Sequence, residues 1–158
     1  MNEIVFLRHG RALSTREAGV ASDSQRPLSP LGEKDALAAA ERLRAAGFVP
    51  SLIISSPYLR AHRTAEIAAG VFPGAARRTA SELSDGPAGA VLELAEKAAG
   101  SAPVLIVGHM PLLGAAAGLL AGLPPLDLSP AGFARVLPPE GGQKGALVEF
   151  YDPEEAAR

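Results

Sequence analysis

The sequence predicts a three-layer α/β/α sandwich with a mostly parallel central sheet and a C-terminal antiparallel hairpin. Three observations predict it. Short apolar runs alternate with helical stretches from Ile4 to Ala121, each run stops abruptly at a polar or glycine-containing loop, and the last two strand-like segments flank a Pro/Gly-rich turn. At 158 residues the chain has room for one domain with a proper core, so residues 1–158 are read as a single unit.

Ile4 to Leu7 is continuously apolar over the length of a buried strand and breaks at Arg8-His9-Gly10. It is too short and too poorly flanked to read as a signal peptide. From Ala12 to Pro27 the residues are small or polar without period. Ser29-Pro30 then supplies a helix N-cap with proline at the first helical position, and that helix ends at Gly47.

The unit repeats with Leu52-Ile53-Ile54 as a strand, Ser55-Ser56-Pro57 as its exit, and a helix from Tyr58 to Ala69 closed by Gly70. A third strand near Arg78 to Ala80 is polar, which points to an edge position. Glu82 to Gly86 follows as a loop, and Ala88 to Ala99 as a helix. Val104 to Val107 is the clearest strand and belongs at the centre; it ends at Gly108-His109-Met110-Pro111 and leads into a glycine-interrupted apolar helix through Ala121. Phe133 to Leu137 and Ala146 to Tyr151 form the hairpin.

Composition narrows the function classes. A net charge of −2 gives no long-range field for nucleic acid or an anionic membrane, so neither is expected as a partner. Without cysteine there is no thiolate nucleophile and no Cys-based zinc site, and a cytoplasmic location fits. No apolar stretch reaches the roughly 20 residues of a membrane span.

Every unusual polar cluster lies just after a predicted strand, where open α/β sheets bind their ligands, so the clusters can converge on one site. Two guanidinium forks and an imidazolium balance a phosphate dianion, and no metal or other cofactor is required of that set. A neutral imidazole is a competent nucleophile near pH 7 when its second nitrogen is tied to a fixed acceptor, a role open to His9. Gly10 leaves room for backbone and phosphoryl group to approach. Taken singly, His9 and His109 are ordinary hydrogen-bonded histidines, Arg60 a helix-surface residue and Arg8 a partner for a carboxylate such as Asp152. Three clusters in order weigh against that. His62 lies two residues beyond Arg60 and points to solvent.

These residues carry a resemblance. Arg8-His9-Gly10 after an apolar strand, Ser56-Pro57-Tyr58-Leu59-Arg60-Ala61 with Thr64-Ala65, and Val107-Gly108-His109-Met110-Pro111 are similar, in order and spacing, to the motifs of the histidine phosphatase superfamily, the phosphoglycerate mutase-like fold. The chain length and Ser22-Asp23-Ser24-Gln25-Arg26-Pro27-Leu28 resemble SixA-type phosphohistidine phosphatases. The resemblance implies a phosphohistidine intermediate on His9, phosphoryl oxygens bound by Arg8 and Arg60 with Gly10 beside them, and electrostatic help from His109. It implies Glu82 as general acid, with Asp85 in competition and more at home starting a turn. Asp23 and Arg26 either form a structural pair or border the site, and the structural role is favoured.

Two departures stand out: Arg11 where an acidic residue is common, and Arg63 where glutamine is frequent. They either add positive charge near the site or reach into solvent. Short loops after the second, third and fourth strands leave the pocket open, which suits phosphohistidine displayed on another protein, such as a histidine phosphotransfer domain or a phosphocarrier. A small-molecule phosphomonoesterase and a non-catalytic phosphate-binding module are the alternatives.

Overall fold

Ile4–Arg8 forms β1, whose alternate side chains enter two different cores. Ile4 and Phe6 pack with Ile54, Val104, Ile106 and Leu113 on one face of the sheet, while Val5 and Leu7 pack with Leu43, Ile53, Ala61 and Leu105 on the other. A strand apolar at every position is buried on both faces, and this makes the molecule three-layered. The computed structural model describes residues 2–156.

The other strands are β2 (Leu52–Ser55), β3 (Ala76–Thr79), β4 (Val104–Gly108), β5 (Phe133–Leu137) and β6 (Ala146–Tyr151). They form one sheet in the order β3-β2-β4-β1-β5-β6, in which the first four are parallel and β5 runs antiparallel to both its neighbours, β1 and β6. The polar β3 is an edge strand and β4 lies inside, as expected. Register places Arg8 opposite Gly108 and Ser55 opposite Val107, so the residues that follow β1, β2 and β4 leave one sheet edge side by side.

The helices are α1 (Thr15–Ala18), α2 (Pro30–Ala45), α3 (Leu59–Val71), α4 (Glu82–Asp85), α5 (Ala88–Ala98), α6 (Leu112–Ala121) and α7 (Pro153–Ala156). Ser29 caps α2 by accepting from Gly32 N–H, with Pro30 in the first turn. Several boundaries differ from the sequence reading. Gly70 lies inside α3, because a single glycine is tolerated where the helix face is already packed. The aperiodic 12–27 segment contains α1 and a 3-10 turn at Asp23–Gln25, and 82–85 is a helical turn. Elements this short bury too little to impose an apolar period.

Candidate active site

The loop after β1 is held from three sides. His9 N–H donates to Gly108 O at 3.0 Å, Ala131 N–H donates to His9 O at 3.0 Å, and Gly10 N–H donates to Thr64 Oγ1 at 3.1 Å. Thr64, fully buried on α3, passes its own hydroxyl hydrogen to Arg60 O at 2.8 Å. Gly10 is required by its neighbour: a Cβ there would lie 2.6 Å from Gly32 O, where α2 crosses the loop.

His9 Nδ1 lies 2.7 Å from Gly10 O, and because a carbonyl only accepts, Nδ1 carries the hydrogen. The lone pair is therefore on Nε2, 3.4 Å from Arg60 Nε. Burial, set against the bond to Gly10 and reinforced by His109, Arg60 and Arg8, holds the His9 pKa down at about 3. His9 is neutral at physiological pH.

His109 follows β4, its ring centroid 5.1 Å from that of His9 and 5.1 Å from that of Tyr58. Its Nε2 lies 2.8 Å from Oγ of the fully buried Ser56. Ser56 Oγ accepts from Tyr58 N–H at 3.2 Å, so its own hydrogen is free for His109, whose hydrogen then sits on Nδ1. Burial and the Arg60 charge lower the His109 pKa to about 4.

Arg8 Nη1 donates to Leu128 O at 2.9 Å rather than to Asp152. Burial lowers the Arg8 pKa, and Asp127 opposes this. Among the described residues, Arg8 Nε is the buried side-chain atom that finds no hydrogen-bond partner. Arg60 spans His9 and Asp23, with its guanidinium carbon 5.3 Å from the Tyr58 ring centroid.

These side chains surround a cavity of about 450 Å³ lined by Arg8, His9, Arg11, Ala12, Arg26, Arg60, His109, Met110 and Pro130. A larger hollow of about 570 Å³, between Leu119 and the 139–145 turn, contains none of the strand-end residues. Four basic side chains and two neutral imidazoles around one cavity favour a compact anion. The His9 Nε2 lone pair, which accepts from Arg60 Nε at 3.4 Å, belongs to one of the imidazoles that line the cavity.

Other predicted site residues fall elsewhere. Glu82 is exposed, accepts from Ser81 Oγ at 3.3 Å and does not line the cavity. Asp85, also exposed, is the carboxylate of the two whose charge acts on His109. Arg63 is engaged by Glu33 and Glu66, so its charge is spent on the surface of α3. Arg11 reaches the cavity while bonded to Glu154 of α7. His62 is half-buried instead of solvated.

Sequence reasoning treated Asp23 as a structural residue and missed Ser56 as a partner of His109. For Ser56 the available signal was a second polar residue at the end of an apolar strand. For Asp23 the signal was its place in the 22–28 stretch that resembles SixA-type phosphatases.

A model of the histidine phosphatase superfamily (branch 1) matches residues 4–86, more than half of the chain. An uncharacterized protein of Picosynechococcus sp. is 38% identical over 122 residues, which cover 71% of this chain and 68% of the relative. The structure of the protein histidine phosphatase SixA complexed with tungstate superposes with a TM-score of 0.86 at 27% identity, over 98% of this chain and 99% of that one. A SixA protein from Agrobacterium tumefaciens gives 0.81 at 23% identity over 96% and 97%, a likeness of fold. No helix among the described residues is long and apolar enough to cross a membrane. The family match covers both the strand-end Arg8-His9-Gly10 and Arg60, and the chain belongs to the histidine phosphatase superfamily.

Proposed function

We propose that this protein is a phosphatase that removes the phosphoryl group from a phosphorylated histidine on another protein, through a covalent intermediate on His9. The observation that carries the chemistry is the His9 ring: Nδ1–H tied to Gly10 O, and the Nε2 lone pair accepting a long 3.4 Å bond from Arg60 Nε in an arginine-lined cavity.

In this reading Arg8 Nε and the Arg60 guanidinium donate to the phosphoryl oxygens. His9 Nε2 attacks phosphorus as the substrate N–P bond breaks, and the bonding pair leaves with the substrate imidazole, which takes up a proton. Water then attacks the phosphorylated His9, loses a proton to solvent, and releases phosphate with the Nε2 pair restored. His109, neutral and with its hydrogen on Nδ1, adds a donor as charge builds on the oxygens. An imidazole leaving group is readily protonated, so the exposed Glu82 carries no necessary step.

Loop length supports a protein substrate. Three residues separate β2 from α3, two separate β3 from α4, and three separate β4 from α6, so these loops leave the cavity open, and the 12–27 segment and the 122–132 loop reach its wall through Ala12, Arg26 and Pro130. SixA, a protein histidine phosphatase, matches over nearly the whole of both chains. The test is a substrate panel: phosphorylated histidine phosphotransfer domains and phosphocarriers against sugar phosphates and phosphoglycerate. The proposal expects faster loss of phosphate from a phosphohistidine protein; a clear preference for the small esters would make the chain a phosphomonoesterase of the same fold.

A further inference from the structure

Arg60 is held at its far end by one residue of the overhanging loop. Nη1 donates to Asp23 backbone O at 2.8 Å, and Nη2 donates to Asp23 Oδ2 at 3.0 Å. The near end, Nε, is left facing His9 Nε2. The Arg60 side chain is only 9% exposed, whereas Asp23 is 57% exposed, so the carboxylate reaches in from solvent to a buried cation.

Asp23 is itself fixed. Its Oδ1 accepts from Arg26 Nη1 at 3.0 Å, and Arg26 Nε donates to Leu13 O at 2.8 Å. Leu13 N–H donates to Pro27 O at 2.9 Å, and Ala12 bridges Leu28, which pins the base of the loop. The bonds run from the loop base through Arg26 and Asp23 to Arg60 and end at His9.

A guanidinium has five N–H donors in one plane. Rotation about its last side-chain bonds decides which of them meet an anion. The Tyr58 ring at 5.3 Å limits the plane of the Arg60 group, and the two Asp23 acceptors limit its rotation within that plane.

We propose that Asp23 is a positioning residue: with Arg26 behind it, it holds the distal N–H groups of Arg60 so that the Nε edge is presented to a phosphoryl group in line with His9 Nε2. The inference rests on the reading of Arg60 as a phosphoryl ligand. It assigns the loop over the cavity a part in the chemistry through Arg60, and it explains a carboxylate beside a site built for anions. As an electrostatic element alone, Asp23 opposes anion binding, so its contribution has to come from geometry.

The two contributions have opposite signs, which makes them separable. Removing the Asp23 charge favours an incoming dianion, whereas losing the orientation of Arg60 slows phosphoryl transfer. A misplacement of about 1 Å costs on the order of 100-fold in rate.

The experiment measures the rate at which His9 is phosphorylated by phosphoramidate, a small N–P donor, in wild type, Asp23→Ala, Asp23→Asn, Arg60→Ala and the Asp23→Ala/Arg60→Ala pair. The expected result is a roughly 10- to 100-fold slowing in Asp23→Ala and substantial retention in Asp23→Asn, which keeps an oxygen acceptor. In the Arg60→Ala background, Asp23→Ala should change the rate by less than about twofold. An unchanged or faster rate in Asp23→Ala overturns the inference, as does a full penalty that persists without Arg60. Wild-type protein that acquires no label on His9 overturns the functional reading as well, and so tells the two failures apart.

Discussion

The Nδ1–H of His9 is committed to the carbonyl oxygen of Gly10 at 2.7 Å, and this one bond decides which ring nitrogen carries the lone pair. It also favours the protonated ring, but burial and the neighbouring cations outweigh it and the pKa falls to about 3. An NMR titration of the ring signals should give a His9 midpoint below pH 5, with His109 also below its ordinary 6.5. A His9 midpoint between 6 and 7 would contradict the desolvated pocket.

The same shifts predict how stability depends on pH. Both imidazoles have folded pKa values below their unfolded ones, so between those values the unfolded chain binds more protons. Their contribution is fully present above about pH 6.5 and is lost as pH falls through about 4 for His109 and about 3 for His9. His9→Asn should flatten the fall in urea-unfolding free energy over that window by up to about 1.4 kcal/mol per pH unit.

Arg60→Ala should lower kcat about 10²- to 10³-fold, by removing a preorganised donor from the phosphoryl group. Arg60→Lys keeps the charge but cannot bond Asp23 with one end while facing His9 with the other, so most of that loss should persist. Steady-state kinetics on the preferred phosphohistidine protein reads both.

Gly10→Ala puts a methyl 2.6 Å from Gly32 O, backbone against backbone, and should cost roughly 1–3 kcal/mol. Gly70→Ala is the control: its Cβ meets nothing within 4 Å inside α3 and should leave stability unchanged or raise it by up to about 1 kcal/mol. Denaturant midpoints of the two variants compare directly.

What could be read from the sequence follows physical lines. β1 from Ile4 to Leu7 and β4 throughout are apolar because both their faces are covered, and the Ser29-Pro30 cap is a local bond, so these elements were visible without tertiary information. The site was visible through its strand-end placement, which brings Arg8, His9, Arg60 and His109 to one cavity. Relationships made only by folding were not visible. Asp23 meets Arg60 across 37 residues of sequence, Ser56 meets His109 across 53, and the need for Gly10 arises from Gly32 on another helix. The short helix at 82–85 left Glu82 outside the cavity wall, a matter of side-chain direction that spacing does not encode.

Whether His9 takes the phosphoryl group is tested most directly by mixing the protein with a ³²P-labelled phosphohistidine protein, quenching within milliseconds and mapping the label. The account predicts an acid-labile, alkali-stable label on His9 that turns over in wild type and does not form in His9→Ala. Equal retention of label by His9→Ala, or hydrolysis at the wild-type rate without residue 9, would contradict it.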